Sequence, residues 1–359
     1  MKLTKKKYII LGSIVLPLLL LSLVFFLLGA GAGKHLQSQQ QAERWTGESE
    51  TRYTQFSAFF GPNDGLNPDG IGALRQQITE KLTAASIELP QSGKYFCDAW
   101  STSGSVKISS ERGSFDADVM AVGGSFFDFH PQELRSGVLL QESDLLLDRI
   151  VIDEQLAWLL YGSTDLAGMT AEIGGQQFYI AGVIARDLGR AEQKVAEDTM
   201  LLYMPYNSYL GLNEAAAASC YEVVLPDPAK GFAKALLEEC LPKDGCILQQ
   251  NTNRFRFSAA LQTMRRFTTR AVRTEAVAFP VWENVALIAQ SRAAAFYFIG
   301  LVTLLLPAAL ICFLLARLAI YLKWWLRGAG GRLKDKTLDK VDEHRIKRAA
   351  REGRAQGKG

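Results

Sequence analysis

Two uncharged apolar runs, residues 8–33 and 293–316, stand apart from a chain that otherwise alternates polar and apolar positions at short range. As helices rising about 1.5 Å per residue, both exceed the roughly 30 Å of a bilayer's hydrocarbon core, so each is expected to span a membrane. A secretory signal has an apolar core of only about 7–15 residues, so the first run reads as an uncleaved anchor. Pro307 is compatible with the second, because neighbouring groups in a membrane can satisfy the carbonyl that proline frees.

Between the runs the periodicity changes repeatedly. Residues 50–60 read as a strand, 61–72 as a turn, and Ile71, Leu74, Ile78 and Leu82 recur at helical spacing before a strand at 95–100. The same order returns later: a strand at 220–225, a helix at 228–241 with Phe232, Leu236 and Leu237 on one face, and a strand at 246–250. Two strand-helix-strand units separated by a long interval predict a split lobe with an insertion at about 101–204. The insertion reads as mostly β. Residues 114–122 alternate, and 169–173 and 176–184 flank Gly174-Gly175, a pair suited to the positive φ angles of a tight hairpin. A short helix is expected after residues 150–152, capped by Asp153 and stopped by Gly162. The fold class is therefore an α+β domain between two transmembrane helices. Helical spacing through Leu261, Met264, Phe267 and Val272 and on to Arg292 makes 257–292 a candidate stalk.

Charge orients this arrangement. MKLTKKK carries four lysines before the first run, and residues 317–359 carry thirteen basic against five acidic side chains, net +8. By the positive-inside tendency, residues 1–7 and the tail at 317–359 are cytoplasmic and residues 34–292 lie outside, in a two-pass plasma-membrane topology. Trp324 and Trp325, with Lys323 and Arg327, form the expected inner-face anchor, and membrane lipid is the expected partner of the tail. The outer region holds 23 basic and 32 acidic residues, about −9, which argues against a nucleic-acid partner. Four cysteines fall outside the apolar runs. Cys240 and Cys246 enclose a turn-rich segment and are the expected bridge; Cys97 with Cys220 follows only by elimination, and four free thiols are the alternative.

The order Phe126-Phe127-Asp128-Phe129, residues 134–144, Arg149-Ile150-Val151-Ile152-Asp153, Leu156-Ala157, Leu160-Tyr161-Gly162, Ala167-Gly168-Met169 and Phe178 to Gly182-Val183-Ile184 carries a resemblance. It resembles the periplasmic core domain of the MacB-type ABC transporter permeases, closely over about 65 residues and loosely over most of 45–256. The resemblance implies a MacB-like core domain at 34–256, made of two parts with a transmembrane helix at each end. It also implies a cytoplasmic ABC ATPase subunit and further permease subunits supplied in trans. The family pattern has three helices after the outer domain, whereas one apolar run follows it here.

Chemistry-bearing motifs are few. There is no Gly-x-x-x-x-Gly-Lys-[Ser/Thr] phosphate loop, so any ATP hydrolysis belongs to a separate subunit. No Gly-x-Ser-x-Gly, His-Glu-x-x-His or zinc-spaced Cys/His set occurs, and no enzyme activity, cofactor or metal is expected. His130 reads as a solvated loop histidine, and Asp116, Asp118, Glu142 and Asp144 as isolated surface carboxylates. The pattern thus supports a permease-like component of an export or mechanotransmission system, homo- or hetero-oligomeric. The rival is an anchored sensor or scaffold that binds an envelope protein or peptide.

Overall fold

The computed structural model describes residues 5–47, 51–88, 93–144, 146–185, 200–265 and 279–356, with side chains described from residue 12 to residue 326. Two units emerge, Leu27–Tyr297 (the head) and a second made of Met1–Phe26 with Phe298–Gly359.

In the head, β1 (Tyr53–Phe60) is buried throughout, as a central strand must be, with Phe56, Ala58 and Phe60 on its apolar face. Helix α3 (Pro68–Ala84) starts where the turn chemistry says it should. Asn67 Oδ1 accepts from the Gly70 amide at 2.7 Å, and Pro68 occupies the first turn, where no amide donor is missed. Ile71, Leu74, Ile78 and Leu82 form its buried stripe. The returning half of the lobe is β9 (Cys220–Pro226), α7 (Phe232–Cys240) and β10 (Cys246–Gln250). Phe56, Ala58 and Phe60 pack with Tyr221, Val223 and Leu225 beneath α3 and α7, so the two sequence-distant units do build one core.

The insertion is not separated from this lobe at residue 101. Strand β2 runs unbroken from Cys97 to Ser110; its residues 97–101 pair with β9 and its residues 99–110 pair with β3 (Gly113–Gly124). The remaining elements are α4 (Phe126–Phe129), β4 (Leu134–Gly137), β5 (Arg149–Asp153), α5 (Glu154–Tyr161), β6 (Thr170–Ile173), β7 (Gln176–Ile184), β8 (Leu201–Pro205) and α6 (Tyr206–Leu212). Among the described residues the strands form one sheet ordered β10-β1-β9-β2-β3-β8-β5-β7-β4, with β6 bridging β7 and β2. That bridge closes β2, β3, β8, β5, β7 and β6 on themselves. Ile108, Val119, Ile150, Ile152, Phe178, Ile180 and Leu202 fill this second core, against Leu156 and Leu160 of α5. The local signals behave as expected. Asp153 Oδ1 caps α5 by accepting from Leu156 at 2.7 Å, Gly162 ends it at φ +71°, and Gly174 and Gly175 turn the β6–β7 hairpin at φ +59° and +81°.

Helix α1 (Lys5–Gly31) contains one candidate membrane span, Gly12–Gly31. Of the expected stalk at 257–292, the described residues are α8 (Phe257–Arg265) and the first part of α9 (Val281–Gln356), whose apolar portion Val281–Leu326 is the second candidate span; α2 (Gln41–Thr46) lies near the head's start. Phe267 and Val272, part of the expected stalk periodicity, lie outside the described residues. In the second unit, Ser22 Oγ donates to the Gly300 carbonyl at 2.9 Å, and a side chain at Gly300 would meet Phe26 at 2.9 Å.

Candidate functional site: a buried polar joint under the sheet

One face of β1 and β9 turns polar. Gln55 and Ser57 of β1 and Glu222 of β9 are each at most 1% exposed, on the side away from α3 and α7. Burying such groups is unfavourable by several kcal/mol unless each finds partners. Ser57 Oγ donates to Glu222 at 3.0 Å and accepts from Asn251 Nδ2 at 2.7 Å, while the other Glu222 oxygen meets His130 Nε2. His130 follows α4, whose Phe126 and Phe129 are anchored in the core between β2 and β8. The expectation of a solvated loop histidine is therefore wrong, since His130 is 6% exposed and hydrogen-bonded to a buried carboxylate. Its ring also meets Phe126 at 4.6 Å and Trp282 at 4.2 Å between centroids.

Trp282 is on the first turn of α9, and its neighbour Glu283 makes the second contact. Arg254 donates to both Glu283 oxygens, at 2.7 and 2.6 Å, in a bidentate pair whose side chains are 1% and 3% exposed. The same guanidinium reaches Gln290 Oε1 at 3.2 Å and Gln39 Oε1 at 3.1 Å, and Gln290 passes a hydrogen bond to Thr263 at 3.0 Å. Gln55 ties in the opening segment, donating to the Ser38 carbonyl at 2.6 Å and accepting from the Gln41 amide at 3.0 Å. Beside this network Leu36, Val285, Ala286 and Ala289 pack with Phe255. Gly33 allows the approach, because a Cβ there would lie 2.1 Å from the Phe255 ring.

The joint thus fastens three stretches distant in sequence, residues 33–46, 251–263 and 279–297, to the underside of β1 and β9. What it can do is hold the start of α9 at a fixed place on the sheet. Three buried polar atoms in it, Gln39 Nε2, Asn251 Oδ1 and Trp282 Nε1, have no hydrogen-bond partner among the described residues. Sequence reading missed Arg254, Glu222, Glu283 and Gln290. The available signal was Glu283 and Gln290, seven apart and so on one helix face, with apolar Val285, Ala286 and Ala289 between them.

The residues expected to form bridges do not. All five cysteines are free thiols. Cys97 pairs with Val224 and Cys220 with Ser101, a four-residue offset along β2 and β9, about 13 Å, beyond the reach of a disulfide. Burial pushes the Cys97 thiol up to about 11 and Cys220 well above its ordinary value. Cys240 ends α7 and Cys246 opens β10; both are half-buried, and burial raises Cys246 to about 11. Trp324 and Trp325 are 70% and 58% exposed on α9 beside exposed Lys323; Arg327 is helical, and its side chain lies outside the described ones.

No family model and no curated protein matches the chain. Among solved structures it is similar to the periplasmic region of MacB from Actinobacillus actinomycetemcomitans, at 19% identity and TM-score 0.40, covering 59% of this chain and 92% of that one. It is also similar to the extracellular domain of the noncanonic ABC-type transporter YknZ from Gram-positive bacteria, at 16% identity and TM-score 0.37, covering 54% and 99%. A domain of a permease protein from Porphyromonas gingivalis follows at 16% identity and TM-score 0.32, covering 56% and 89%.

Proposed function

We propose that this chain is a membrane-anchored, permease-like component of an ABC-type export or mechanotransmission system, with the head outside the membrane and an ATPase supplied by a separate cytoplasmic subunit. The observation that carries the reading is the joint at the start of α9. The helix that holds Trp282 and Glu283 against the sheet continues unbroken to Gln356, through the apolar span. A displacement along such a helix is delivered to the head through Arg254 and His130.

A second reading is an anchored sensor or scaffold that binds an envelope protein or peptide through the head. Capture of the full chain from native membranes in mild detergent, with partners identified by mass, separates the two. A nucleotide-binding subunit among the partners supports the first reading. An outer-face protein without any ATPase supports the second. Protease added to intact cells should cut within the head and spare both basic ends; the reverse pattern inverts the topology and removes both readings.

A further inference from the structure

Among the described residues of the head, the exposed large hydrophobic side chains are Leu27, Leu28 and Val281 and eight others that fall between Leu134 and Tyr179. Three of these, Val138, Leu146 and Tyr179, line one hollow, and apolar side chains exposed together mark an interface rather than scattered surface residues. Beside this hollow, ending one residue before Val138, is β4, the last strand in the sheet order, paired among the described residues only with β7. The Ala185 amide donates to the Glu133 carbonyl across the Leu134–Ile184 pair. That bond makes Leu134–Ile184 a non-hydrogen-bonded pair, so the amide and carbonyl of Leu134 point away from β7, toward the open edge. Leu134 is 37% exposed, and Val138, one residue beyond β4, is 54% exposed.

We infer that β4 is a self-association edge, which pairs antiparallel with β4 of a second copy of this chain about a two-fold axis at Leu134. The sequence of the edge is self-complementary in charge. With Leu134 facing its own copy, Glu133 of one chain stands opposite Arg135 of the other, and the reverse. Both are exposed, and the pairs Arg135 now makes, with Glu133 and Glu154 at 3.2 Å each, are solvent-screened contacts of small worth that exchange at little cost. The paired edge satisfies the outward groups of Leu134 and brings the apolar surfaces of the two copies together. Two-fold pairing is isologous, so the assembly closes at a dimer. Anchoring in one membrane raises the local concentration that so short a strand needs.

The test uses the full chain in its native membrane. Leu134→Cys, treated with a short bis-maleimide, is expected to give a cross-linked dimer that the unsubstituted chain lacks. Adding Arg135→Glu sets like charges opposite each other twice and should lower the dimer fraction about tenfold. The exchange Glu133→Arg with Arg135→Glu should restore it. If Leu134→Cys fails to fold, a mixture of Glu133→Cys and Arg135→Cys chains reports the same register. Absence of a dimer, a dimer indifferent to Arg135→Glu, or a cross-link to a different protein overturns the proposal. None of these outcomes bears on whether an ATPase subunit is present, so this edge and the proposed function stand or fall separately.

Discussion

Arg254 and Glu283, twenty-nine residues apart, meet in a two-point ion pair that is almost entirely out of water, and the pair binds the first turn of α9 to the head. A buried pair of this kind adds little net stability compared with apolar residues of the same volume, but losing one partner strands a charge. Arg254→Met alone is therefore expected to destabilise the head by about 3–5 kcal/mol, whereas Arg254→Met with Glu283→Leu should recover most of that. Denaturant unfolding of the detergent-solubilised chain measures both. If the two variants were equally unstable, Gln39 and Gln290 rather than the ion pair would be what the guanidinium serves.

Trp282→Ala removes the indole that lies against His130 and Phe126. A loss of about 2–3 kcal/mol is expected, below the scale for a fully buried aromatic because Trp282 is half-buried. Under the proposed function, ATPase activity of the assembled complex should persist while its coupled output falls. Equal loss of both would show that Trp282 only holds the fold together.

Thiol chemistry distinguishes the four head cysteines. In the native chain Cys97 and Cys220 should resist maleimide until the protein unfolds. Cys240 and Cys246 should label slowly. A thiol near 11 has only about a thousandth of its population as thiolate at pH 8, and prior reduction should change nothing. Faster labelling of Cys240 and Cys246 after reductant would mean that they are bridged after all.

Glu142 bonds Lys94 at 2.7 Å and Arg75 at 2.8 Å, joining the β4–β5 loop to α3. Burial by itself raises its carboxyl, but hydrogen bonds from Lys94 and Arg75 outweigh it and hold the group below its ordinary 4.5. A depressed carboxylate adds stability above its unfolded pKa and loses it as pH falls through the folded one. Glu142→Gln should thus melt below the unsubstituted chain at pH 7, with the gap closing below about pH 4. Asp98 works with the opposite sign. Burial raises its carboxyl despite Arg75 and Tyr221, so its contribution is present in acid and lost as pH rises through the folded value.

Gly137 ends β4 at φ +75°, and a Cβ there would sit 2.0 Å from the Ala181 carbonyl oxygen. Backbone cannot move aside as a side chain can. Gly137→Ala is expected to cost about 2–4 kcal/mol, from the left-handed conformation and the clash together, and thermal unfolding reads it directly.

Local chemistry was legible in the sequence wherever one residue decides the outcome. Asp153, Gly162 and Gly174-Gly175 each specify a cap or turn without help from the rest of the chain. The period-2 and period-3.6 patterns likewise placed most strands and helices, because those elements bury one face. The break expected at residue 101 was absent because β2 changes neighbours partway along, and no residue signals a change of partner. The joint stayed hidden for a related reason. His130, Glu222 and Arg254 look like surface residues in sequence, and only the return of α9 and residues 33–46 over β1 takes them out of water.

The unbroken course of β2 limits how this protein can be divided. Residues 101–204 cannot be excised as a module, because the cut would sever one strand and leave both remnants with a raw flank open to stray pairing. Recombination that swaps this lobe for another must carry Cys97–Ser110 with it. The two halves are therefore expected to be inherited together.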